Sequence, residues 1–93
     1  YLLAKAYEQM ALAQRGEGAR AAFVDLAARE YRAAIDLQPT SAWYHAGLGW
    51  TYLVRAEKAK AQRAFATAAW LAPKDPHMQR YLRDIYKSWP PAP

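Results

Sequence analysis

The sequence predicts an all-α fold of antiparallel helix hairpins stacked one on the next, and three observations lead there. Alanine is abundant while Val, Ile and Thr are sparse, a composition that favours helix over strand. Apolar residues recur at three- and four-residue spacing, the period of one helix face. The pattern Ala27-x3-Tyr31-x2-Ala34-x4-Pro39 returns as Ala61-x3-Phe65-x2-Ala68-x4-Pro73, an offset of 34 residues, which marks a chain built from copies of one unit.

Turn signals divide the chain into five helices, expected over 1–15, 19–38, 41–55, 57–72 and 76–88. Gly16-Glu17-Gly18 separates the first two. In the second, Ala27, Tyr31, Ala34 and Ile35 share a face, and Arg29, Arg32 and Asp36 point away. Pro39 stops that helix, and Thr40 or Ser41 can cap the third. A softer break at Arg55-Ala56-Glu57 leads into the fourth, whose stripe of Ala61, Phe65, Ala68 and Ala72 is narrow and lets another helix approach closely. Asp75 is placed to cap the fifth, with Pro76 at its first position. There Met78, Tyr81, Leu82, Ile85 and Trp89 form the apolar stripe. The tail, Pro90-Pro91-Ala92-Pro93, is expected to run extended. Short turns of this kind join antiparallel neighbours.

The third helix differs from the rest. Trp43, Ala46, Gly47, Trp50, Leu53 and Val54 make one stripe, and His45, Leu48, Gly49 and Tyr52 make another nearly opposite. A helix apolar on two sides is sandwiched between neighbours or carries a face for a ligand.

Upstream of Ala61, the run Leu48-Gly49-x2-Tyr52 completes a longer pattern, Leu-Gly-x2-Tyr…Ala-x3-Phe…Pro. Residues 42–75 therefore resemble a full tetratricopeptide repeat, with His45 where that family usually has Trp. Leu3-Ala4-x2-Tyr7 resembles the start of a preceding repeat, over 1–39. Tyr7 stands 20 residues before Ala27, however, where Tyr52 stands nine before Ala61. The eleven extra residues, about three helical turns, are expected to prolong both helices of the first pair. Leu82-Arg83-x2-Tyr86 echoes the pattern once more. Arg83 stands there in place of a small residue, which suits a terminal capping helix over 76–88. The expected unit is one domain over 1–89: about two repeats of a short tetratricopeptide-type α-solenoid plus the cap, followed by the Pro-rich tail.

Tetratricopeptide arrays are scaffolds whose inner groove is lined by the first helix of each pair. The resemblance implies a groove built from Tyr1, Lys5, Glu8 and Gln9, then Trp43, Ala46, Gly47, Trp50, Leu53 and Val54, then His77, Arg80, Tyr81 and Asp84. It also implies a protein or peptide partner, with the central tryptophans as anchors. The subfamily that grips a chaperone's terminal carboxylate uses Lys, Arg and Asn. This sequence has no Asn, and Trp50 stands where that clamp wants one, so such a ligand is excluded.

No enzyme signature is present. Asp25, Asp36, Asp75 and Asp84 are scattered, Ser41 and Ser88 have no base at helical reach, and no glycine-rich phosphate loop occurs. Two histidines, His45 and His77, without cysteine or paired carboxylates make a poor metal set. No cofactor, metal or catalytic residue is expected.

The net charge of +5 raises nucleic acid as a partner through Arg20, Arg29 and Arg32 on the second helix and Lys58, Lys60 and Arg63 on the fourth. Asp25, Glu30, Asp36 and Glu57 interrupt these cations, and aromatic residues are not interleaved with them as a stacking platform would need, which favours solvated helix faces. Trp70 shares the polar side of the fourth helix with Lys60, Arg63 and Thr67, as a contact residue or a lone exposed one. No apolar run reaches membrane-spanning length, so no membrane insertion is expected. The chain opens at Tyr1, and a piece of a longer polypeptide is expected. An alternative to partner binding is a structural segment that packs on its parent protein or on its own copy as a homo-oligomer. Repeat segments in bacterial envelope proteins look similar.

Overall fold

The computed structural model describes residues 2–88, the side chain of Ser88 apart; Tyr1, Trp89 and the tail lie outside the described residues. The described residues form five helices: α1 (Leu2–Ala13), α2 (Glu17–Leu37), α3 (Ala42–Val54), α4 (Lys58–Leu71) and α5 (Pro76–Ser88). Every expected helix is present, with ends moved by a residue or two.

Each boundary has a local cause. Gly18, expected in the first turn, lies inside α2, which starts at Glu17 after Gly16; a carboxylate in the first turn is favoured by the helix dipole. Gln38 closes α2 by donating its N–H to the Ala34 carbonyl at 2.9 Å, and Pro39 then prevents continuation. Ser41 precedes α3, but its hydroxyl makes no capping bond, contrary to expectation. Instead the His45 ring lies 2.8 Å from the Pro39 carbonyl and ties α3 to the turn before it.

The softer break after α3 is a Schellman turn: Glu57 N–H donates to Tyr52 O at 2.8 Å and Ala56 N–H to Leu53 O at 3.0 Å. Ala56 occupies the left-handed position of that turn, with φ 60°. Asp75 caps α5 as expected, its Oδ1 accepting from the N–H groups of His77 at 2.9 Å and Met78 at 3.4 Å.

The substantial packing is between consecutive helices, α1 on α2, α2 on α3, α3 on α4 and, more lightly, α4 on α5. One cluster buries Ala42 and Ala46 of α3, Ala61, Phe65 and Ala68 of α4, and Met78 and Leu82 of α5. A second buries Ala4, Ala27 and Tyr31, with Tyr7 and Leu48 against it. The small residues of the sequence pattern are thus where helices meet, and the aromatic at each repeat position fills the space between them.

The eleven extra residues are also accounted for. Helix α1 runs six residues past Tyr7, where α3 runs two past Tyr52. Helix α2 starts ten residues before Ala27, where α4 starts three before Ala61. Four extra residues on one helix and seven on the other make up the eleven, and the turns 14–16 and 55–57 stay equal at three residues. The first hairpin therefore overhangs the second.

Candidate functional site

Helix α3 is packed on two sides, and this decides which residues of its expected face remain open. Ala46 is 1% exposed, within the cluster shared with α4 and α5. Gly47 is buried on the other side, with the Tyr31 ring in the space its side chain would take. On a helical wheel these two flank a strip of about 40° holding Trp50, Trp43 and Val54. Trp43 and Trp50 are half-buried, and Val54 is 41% exposed. Leu53 turns toward the core and packs against the Phe65 cluster.

Helix α5 borders this strip. The Trp43 ring meets Tyr81 of α5 edge to face, centroids 5.4 Å apart at 63°, an arrangement that fixes both rings. His77, Arg80 and Asp84 are exposed on the side of α5 next to Tyr81. On α1, Gln9 is exposed and Lys5 half-buried.

Three expected groove residues are closed to a partner. Besides Ala46 and Gly47, Glu8 is buried: it accepts a hydrogen bond from the Tyr31 hydroxyl at 2.6 Å and pairs with Lys5 at 3.4 Å. A carboxylate in that setting needs such partners, and its role is to hold α1 on α2. The wheel could not reveal this, because the expected stripe was broad enough to include both packed flanks of α3. Tyr1 lies outside the described residues.

The opposite side of α3 carries a feature that sequence order conceals. His45, Leu48 and Tyr52 form the floor of a groove of about 350 Å³ beside Lys60, Arg63 and Thr67 of α4. Arg32 of α2 and Lys60 of α4 both reach the Tyr52 ring, at 5.9 and 5.8 Å from its centroid. Cations from two different helices thus share one aromatic ring in space. The signal was available in the His45, Leu48 and Tyr52 stripe, but only the convergence of α2 and α4 joins it to the cations.

Among the described residues, no three His, Cys, Asp or Glu side chains are grouped so as to hold a metal ion. No described helix is long and apolar enough to cross a membrane. No family model, curated protein or solved structure matches this chain.

Proposed function

We propose that the chain is a tetratricopeptide-type helical repeat module that recognises a protein or peptide through the strip of Trp43, Trp50 and Val54 and performs no chemistry itself. The observation that carries this reading is that α3 is closed on both flanks, by the Ala46 and Gly47 contacts, while two tryptophans between them stay accessible. Partly open, rigidly held indoles bordered by charged groups are suited to anchoring a partner. The charged residues of α1 and α5 would set orientation more than affinity.

The repeat assignment draws support from packing between consecutive helices, from the repeated turn lengths, and from α5, which buries Met78 and Leu82 and leaves Gln79, Arg83 and Lys87 in water as a capping helix would. A direct test uses peptides selected by display against the immobilised chain. Trp50→Ala should weaken their binding at least tenfold with the circular dichroism spectrum unchanged; equal affinity would remove Trp50 from the site.

A second reading rests on α1. Its outward side presents Leu2, 83% exposed, with Leu3, Ala6 and Met10, and with Gln9 exposed among them. Such a face suits contact with a second copy or with the rest of a longer protein. Sedimentation equilibrium across a concentration series tests self-association: a dimer abolished by Leu3→Glu and Met10→Glu supports it, and a monomer at all concentrations excludes it.

A further inference from the structure

A group of cations lies on the side of α3 opposite the tryptophan strip. Arg29 and Arg32 stand one turn apart on α2 and line one hollow, Lys60 and Arg63 stand one turn apart on α4 and line another, and Arg32 and Lys60 meet at the Tyr52 ring. Arg55 adds a fifth cation, but it is engaged by Asp25 at 3.6 Å and Glu57 at 3.8 Å. Glu57 also holds Lys60 at 3.8 Å. Arg29, Arg32 and Arg63 have no ion-pair partner among the described residues. Five cations against Asp25, Asp36 and Glu57 leave a net charge of +2 on this side, out of +5 for the whole chain. Farther along α4 the same stripe leads through Thr67 to Trp70, which is 79% exposed.

We propose that this outer groove binds an acidic peptide segment, its carboxylates between the α2 and α4 cation pairs and an apolar residue on Trp70. Charge complementarity identifies the chemistry of the occupant. Guanidinium groups without a carboxylate partner are well formed to take one in bidentate fashion. Three observations favour a peptide over nucleic acid. Arg32 and Lys60 already engage the Tyr52 ring, so no base has a clear aromatic platform there. Asp25 and Glu57 interrupt the cations and would repel a continuous phosphate backbone. Trp70 offers an apolar contact at the end of the groove.

The experiment titrates the full chain with a fluorescein-labelled peptide of eight glutamates and one terminal leucine, followed by anisotropy at 150 mM NaCl. A labelled single-stranded oligothymidine of similar charge is the comparison. The expected result is saturable peptide binding that weakens at least tenfold in Arg32→Gln with Arg63→Gln, and threefold or more in Trp70→Ala. Arg83→Gln with Lys87→Gln removes the same charge from α5 and should change affinity less than twofold. Trp50→Ala should also have no effect, which separates this groove from the tryptophan strip. Circular dichroism confirms that each variant is folded. Equal losses from the α2–α4 and α5 double variants would show attraction to net charge alone and overturn the proposal. Absence of saturable binding, or tighter binding of the oligothymidine, would overturn it as well.

Discussion

The ring of Phe65 occupies the space that a side chain on Gly49 would need, its Cε1 2.7 Å from where that Cβ would stand. Tyr31, 34 residues before Phe65, stands in the same relation to Gly47. Helix α3 thus receives the repeat aromatic of the preceding hairpin on one glycine and that of its own hairpin on another.

Gly49→Ala and Gly47→Ala should each destabilise the fold. Helix propensity gains up to about 1 kcal/mol from alanine, but displacing a fully buried ring costs about 1–3 kcal/mol, and the second effect wins. Gly18 has nothing within 4 Å of its would-be Cβ and lies in an exposed helical turn. Gly18→Ala should therefore stabilise by about 0.5–1 kcal/mol. Urea unfolding of the three variants checks the sign; stabilisation by Gly49→Ala would refute the packing account.

Tyr31→Phe keeps the buried ring and deletes the hydroxyl that donates to Glu8. A buried carboxylate that loses a donor carries a cost of about 1–3 kcal/mol. For a domain of this size that lowers Tm by roughly 4–8 °C per kcal/mol. Differential scanning calorimetry reads the change, and an unaltered Tm would mean that water replaces the hydroxyl without loss.

Ala56→Gly should stabilise the protein. Ala56 sits at φ 60°, a conformation that costs an L-residue about 1–2 kcal/mol and glycine almost nothing. Part of that gain is offset by the freer unfolded chain, leaving about 0.5–1 kcal/mol in thermal or urea unfolding. A loss of stability would contradict the left-handed turn.

Asp75→Ala removes the acceptor for two N–H groups at the start of α5. The cost expected for such a cap is about 1 kcal/mol. Because α5 packs more lightly than the other helices, hydrogen exchange should rise there first. Uniform acceleration across all five helices would show that α5 does not open on its own.

Much of this architecture was legible in the sequence, because Pro39, Pro73, Asp75 and the 34-residue offset act locally or repeat. The eleven extra residues between Tyr7 and Ala27 likewise translate into helix length by counting. The site was less legible. Ala46, Gly47 and Trp50 lie within one apolar stripe, and only the placement of Tyr31 and Phe65 shows that the first two are covered. Glu8 reads as a surface acid until Tyr31, 23 residues away, is seen to hold it. The Arg32, Tyr52 and Lys60 arrangement draws on three helices, a relationship that no local spacing encodes.

The most direct test of partner recognition is an NMR titration of the ¹⁵N-labelled chain with a display-selected peptide, following the indole N–H signals. The account predicts saturable shifts at Trp50 and Trp43, with backbone shifts at Val54 and Tyr81, while Trp70 stays in place. Shifts confined to Trp70 and α4, or no saturable shift at the indoles of α3, would contradict the assignment of the inner strip as the recognition face.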